Sequence, residues 1–235
     1  LGRFLSGSLQ YRLEEIDIFN VSPDVTRAIA IEKGARTKSQ ITSTLVYDSR
    51  DNPFLTRKGQ RFSFTPYIAG GFLGGDTQLY GIDLEGSQYF KLPADLILLL
   101  NAQFRAVDTW GSGDRVPIFD RLFLGGANDL RGFTFRDVGP RDIRGEPLGG
   151  KTSARATVEL TYPIIEKVRG AVFYDTGFVS TGTFDLGGSV ASDVGLGLRL
   201  DLPIGPIRLD YGIPLQNAGL KSSSGHFNFN VGYQF

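Results

Sequence analysis

Few side chains in this chain could do chemistry, and most of those are charged rather than nucleophilic. The single histidine, His226, closely follows Ser222, Ser223 and Ser224. A hydroxyl beside an imidazole is the raw material of nucleophilic catalysis. Catalytic triads, however, are built from residues that meet in space, and no nucleophile elbow surrounds these serines. They read as a polar loop before a strand, and no enzymatic activity is expected. One histidine and no cysteine leave no ligand set for a zinc-type metal site. Neither a metal nor a cofactor is expected. The remaining candidates are one arginine and two acids. Arg131 precedes Gly132 and Phe133, and a glycine there lets the backbone pack closely while the guanidinium protrudes. Glu159 and Asp175 lie further along, in segments of alternating polarity. The planar fork of a guanidinium suits carboxylates, for which lysine is a poorer partner. Alternation alone leaves two readings open. Arg131 could pair with both acids, or it could be a solvated loop-tip residue facing two ordinary charges.

The elements that would position these residues are strands. The last ten residues alternate with a period of two. Phe227, Phe229, Val231, Tyr233 and Phe235 point one way; Asn228, Asn230, Gly232 and Gln234 point the other. The same pattern predicts strands at about 4–17, 36–48, 59–69, 77–91, 95–107, 151–162, 168–177, 188–202, 205–213 and 226–235. One face of these strands is apolar. The other carries Arg155, Glu159, Arg169, Asp175, Asp193, Arg199, Arg208 and Asp210. A dry sandwich core could not hold such charges unpaired. An all-β antiparallel transmembrane β-barrel of about ten strands, apolar towards lipid and wet inside, could. Connections at 48–59, 91–95, 163–167 and 202–205 fall on one side, and mostly longer ones at 18–35, 70–76, 108–150, 178–187 and 214–225 on the other. Short turns on one side and long loops on the other are the asymmetry such barrels show.

Composition limits the alternatives. Lysine plus arginine number 25 and aspartate plus glutamate 25, so nothing favours nucleic acid as a partner. No stretch approaches the roughly 18 apolar residues of a transmembrane helix. A membrane span would therefore have to be a closed sheet, and membrane lipid the surrounding partner. No linker divides the chain, which reads as one domain over 1–235. It opens on Leu1 with no initiator methionine or signal peptide, and is read as a mature protein or a piece of a larger one. The longest connection, 108–150, holds Phe119–Gly126 and Asp129–Phe135, whose aromatics and paired glycines suggest a folded hairpin. Trp110, Tyr47, Tyr162, Tyr174, Tyr211, Tyr233 and Phe235 are candidates for interfacial aromatic girdles.

Leu130-Arg131-Gly132-Phe133, preceded by Leu124-Gly125-Gly126, resembles the tip of the long loop in the BamA-type outer-membrane assembly factor family. Segments resembling other family motifs follow in order. Ala156–Pro163 contains Glu159, Val172–Gly177 contains Asp175, and Asp48–Phe54 with Lys58-Gly59 resembles the acidic periplasmic turn through Asp48, Asp51 and Gly59. Gly205–Tyr211 and the terminal Phe235 also match. The resemblance implies that the long loop folds into the lumen, with Arg131, Gly132 and Phe133 at its tip and Glu159 and Asp175 holding the arginine. Gly195 and Gly197 would then make room for that loop. It further implies a non-enzymatic protein of the bacterial outer membrane. Such a protein assists insertion, assembly or translocation of outer-membrane polypeptides, together with periplasmic or lipoprotein accessory factors. The last strand, Phe227 to Phe235, would be its signal strand. The family carries POTRA modules before a sixteen-stranded barrel; this chain has no such modules and length for about ten strands. It resembles the C-terminal ten strands, either as a truncated piece or as a compact member that closes alone or by self-association. The alternative function is a passive outer-membrane pore without client handling.

Overall fold

The computed structural model describes residues 2–22, 27–53, 55–113, 115–202, 205–217 and 224–231. It contains ten strands: β1 (Leu5–Ile18), β2 (Gly34–Asp48), β3 (Gly59–Ala69), β4 (Leu79–Lys91), β5 (Ile97–Thr109), β6 (Thr152–Ile165), β7 (Val168–Ser180), β8 (Ser189–Leu202), β9 (Gly205–Asn217) and β10 (His226–Val231). The only α-helix among the described residues is the four-residue α1 (Arg27–Ala30). No helix among them is long and apolar enough to cross a membrane.

Each strand pairs antiparallel with the next, giving one sheet in the order β1 to β10. The period-two segments fall on the observed strands within a few residues. The largest extension is β9, which continues to Asn217 through a register shift opposite Ser192 and Asp193. β1 and β10 do not pair with each other among the described residues, so the sheet is open there. β1 is exposed on both faces over most of its length. Tyr233 and Phe235 of the predicted last strand lie outside the described residues, as do Ser222 and Ser223. Phe227, Phe229 and Val231 are exposed on one face of β10.

The apolar face is left bare, as a lipid-facing surface requires. Phe62, Phe64, Leu84, Leu100, Val158, Val172, Tyr174, Leu196 and Leu198 are all exposed. The buried apolar residues lie instead between the polar face and the long connection at 110–151. There Leu124, Leu130, Phe133 and Val138 pack on Val179 and Ala191. A second cluster joins Val116 of the connection to Ala69, Leu79 and Val107. Isolated bridges Leu122↔Gly150 and Leu124↔Val138 give the connection its hairpin character. The Trp110 indole N–H donates to the carbonyls of Ala69 (2.9 Å) and Leu79 (3.1 Å), tying the connection's root to β3 and β4.

Candidate functional site: an arginine on the inner face

The tip of the connection is a tight turn. The Gly126 N–H donates to the carbonyls of Leu130 (3.2 Å) and Phe133 (3.0 Å), and the Phe133 N–H donates to Leu130 (3.2 Å). Gly125 has φ 107°, a region that disfavours any side chain. The turn presents Arg131 to the polar face of β6, β7, β8 and β9. A Cβ at Gly132 would lie 2.5 Å from the Asp193 Cβ, and one at Gly212 of β9 would lie 2.7 Å from the Arg131 carbonyl carbon. Both glycines let the tip lie directly on the sheet.

Arg131 is only 4% exposed. Its Nε donates to Asp175 Oδ2 at 2.7 Å and its Nη2 to Asp175 Oδ1 at 2.9 Å, a bidentate fork. Its Nη1 donates to Glu159 Oε2 at 2.6 Å and lies 3.6 Å from Asp210 Oδ2. The guanidinium stacks on the Phe173 ring, 3.4 Å from the centroid. The structure therefore brings Arg131, Glu159 and Asp175 together. Phe133 is buried in the apolar cluster beside them.

Five participants were not singled out from sequence: Arg199, Arg208, Asp210, Phe173 and Asp193. Arg199 donates to Glu159 (Nη2 to Oε2, 2.7 Å) and to Asp210 (Nη1 to Oδ1, 2.7 Å). Arg208 pairs with Asp210 at 3.1 Å. Alternation had placed these charges on the polar face without identifying their partners. Phe173 had a signal of its own, an aromatic on an otherwise polar face two residues before Asp175. Asp193 is fully buried directly across from Asp175, and neither of its carboxylate oxygens has a hydrogen-bond partner among the described residues. Gly195 and Gly197 accommodate side chains of the polar face rather than the loop. A Cβ at Gly195 would lie 2.2 Å from Phe173 Cζ, and one at Gly197 would lie 2.1 Å from Asp210 Oδ1.

Asp48, Asp51 and Gly59 build a separate turn between β2 and β3. Asp51 Oδ1 accepts from the backbone N–H groups of Asn52 (3.0 Å), Arg57 (3.0 Å) and Lys58 (3.2 Å). Asp48 forms a bidentate pair with Arg50, whose Nε and Nη2 donate at 2.9 and 2.7 Å. Gly59 has φ 106°, and a Cβ there would lie 2.4 Å from the Ser49 carbonyl oxygen. His226 begins β10 opposite Gly212.

The Omp85 superfamily domain matches residues 3–235. The chain belongs to the Omp85 superfamily. It is similar to the outer membrane protein assembly factor BamA of Nitratidesulfovibrio vulgaris, 28% identical over 100% of this chain and 30% of that protein. It is also similar to the sorting and assembly machinery component 50 homolog of Mus musculus, 32% identical over 58% of this chain and 29% of that protein. The crystal structure of Haemophilus ducreyi BamA lacking POTRA domains 1–3 superposes with a TM-score of 0.73 at 21% identity, covering 86% of this chain and 43% of that one. The chain thus spans under a third of the length of these two relatives. In this superfamily member the ten strands form a BamA-type barrel portion.

Proposed function

We propose that this Omp85 chain is the barrel portion of a non-enzymatic machine that assists insertion, assembly or translocation of outer-membrane polypeptides. The family match and its assembly-factor relatives support this reading. We assign it to an outer membrane, and to the bacterial one on the resemblance of its loop-tip and turn motifs to the BamA-type family. Clients, and periplasmic or lipoprotein accessory factors, are the partners the relatives suggest. The signal strand at Phe227, Phe229 and Val231 and the turn at Asp48, Asp51 and Gly59 would serve barrel assembly.

The observation that carries the mechanism is the seating of Arg131 between Asp175 and Glu159. A loop held this way braces β6 to β9 from inside. It leaves the open edge of the last strand as the place where a client strand could add by β-augmentation. The same loop argues against a passive pore, because its apolar residues pack over part of the polar face. Reconstituted vesicles test both readings. Folding of a client barrel should be accelerated by this protein and lose most of that acceleration in Arg131→Ala. Large, steady single-channel conductance with no client acceleration would overturn the proposal in favour of the pore.

A further inference from the structure

The last strand meets the tip of the long connection on its polar face. Among the described residues β10 pairs with β9 from His226↔Gly212 to Val231↔Ile207. Its other edge has no partner among the described residues. Its apolar face is exposed at Phe227, Phe229 and Val231, so side-chain packing adds little on that side. Its polar face makes two contacts that neither alternation nor the family resemblance assigned. Asn228 Nδ2 donates to the backbone carbonyl of Arg131 at 2.8 Å, and Asn230 Nδ2 donates to Asn128 Oδ1 at 3.0 Å. The adjacent strand is held by the same tip, since Arg208 of β9 donates to the Ala127 carbonyl and, at 3.1 Å, to Asn128 Oδ1. Gly212 admits the tip to this hairpin, its position for a Cβ being filled by the Gly132 nitrogen and the Arg131 carbonyl.

We infer that Asn228 and Asn230 are positioning residues that clamp the terminal strand to the tip of the long connection, so that β10 is held firmly only while Arg131 is seated. The clamp deepens the proposed function and rests on it for its purpose: it makes the free edge of β10 depend on the state of the arginine inside. The carbonyl that Asn228 grips belongs to Arg131 itself. A movement of the tip that withdraws the guanidinium from Asp175 and Glu159 therefore also displaces an acceptor of the terminal strand. An amide is suited to this role, because it donates to a carbonyl without adding charge to a cluster that already holds four carboxylates.

Hydrogen exchange on the intact chain in detergent micelles tests the clamp. In Asn228→Ala and Asn230→Ala, amides of β10 should exchange about fivefold faster each, the size expected from one lost hydrogen bond, while those of β4 stay unchanged. Combining Asn228→Ala with Arg131→Ala should add nothing to the acceleration caused by Arg131→Ala alone. Since Arg131→Ala could fail to fold, Asn128→Ala provides a second cycle away from the buried cluster, and with Asn230→Ala it should likewise be non-additive. Unchanged β10 exchange, equal acceleration in β4, or additive effects in these cycles would overturn the clamp. Client handling is read separately, by cross-linking of a client strand to a probe on the edge of β10 in the unsubstituted protein. Absence of that cross-link with an intact clamp would overturn the function and leave the clamp standing.

Discussion

Arg131→Ala is the perturbation whose consequences the geometry defines best. The side chain donates three charge-assisted hydrogen bonds, two to Asp175 and one to Glu159. The two acids do not lose equally when it is removed. Glu159 keeps Arg199 at 3.1 and 2.7 Å. Asp175 keeps only uncharged donors, the Thr157 hydroxyl at 2.8 Å and the backbone N–H of residue 131 at 3.3 Å, and faces buried Asp193 across the strand pair. Most of the cost should therefore arise at Asp175. Removing one partner of a buried pair costs about 3–5 kcal/mol. A double-mutant cycle between Arg131→Ala and Asp175→Asn should then give a coupling of about 2–3 kcal/mol, near the upper end for contacting residues. The cycle between Arg131→Ala and Glu159→Gln should give about 1 kcal/mol, because Arg199 still covers that acid. The assay is urea unfolding in micelles followed by tyrosine and tryptophan fluorescence, with Trp110 at the root of the connection as reporter. Coupling below about 0.5 kcal/mol for Arg131 with Asp175, or a larger coupling with Glu159, would refute the reasoning.

Arg131→Lys should recover less than half of the stability lost in Arg131→Ala in the same unfolding assay, since an ammonium cannot reproduce the fork on Asp175. Gly132→Ala should cost about 1–3 kcal/mol by the same measurement, because its Cβ would meet Asp193 at 2.5 Å. Leu198→Arg, on the exposed apolar face, should cost about 2–4 kcal/mol in lipid if that site lies near the bilayer midplane, and Gln103→Arg on the polar face much less; equal penalties would overturn the face assignment. At Asp51, partial burial raises the carboxyl pKa, but the backbone N–H groups of Arg57, Lys58 and Asn52 outweigh it and hold the value below the usual range. Its contribution is then complete above the unfolded pKa near 4 and fades only as pH falls through the lower folded value. Amide protection of Arg57 and Lys58 should persist at pH 4 and be lost at any pH in Asp51→Ala, which removes the acceptor.

Strand period was the strongest signal in the chain, and it located all ten strands because the bare apolar face imposes strict alternation. It failed at the ends, where β5 continues to Thr109 and β9 to Asn217. At the β5 end the long connection supplies packing, with Val116 against Val107. Parity put Glu159 and Asp175 on one face, and the motif resemblance supplied Arg131. Neither could find Arg199 as a second partner of Glu159, because that contact reaches across β7 from β8 to β6 and depends on how the sheet curves. The tie from the Trp110 N–H to two backbone carbonyls was equally out of reach of the strand pattern. The Asn228 contact was invisible because its acceptor is a backbone carbonyl, which carries no sequence signature.

The distribution of apolar burial explains why the arginine is needed at all. A sheet with lipid on one side and water on the other has no dry core of its own. Here Leu124, Leu130, Phe133 and Val138 of the connection supply one by packing on Val179 and Ala191. That packing brings the tip over Asp175, Asp193, Glu159 and Asp210, which would repel one another if left without a cation. Arg199 and Arg208 reach Glu159 and Asp210 from the sheet itself. Asp175 and Asp193 are the acids that no sheet arginine reaches among the described contacts, and Arg131 presents its full fork to Asp175. The loop thus contributes apolar packing and the missing positive charge at the same place. Seating either without the other would leave exposed leucines or an unpaired buried carboxylate, so the loop should dock as a single cooperative unit.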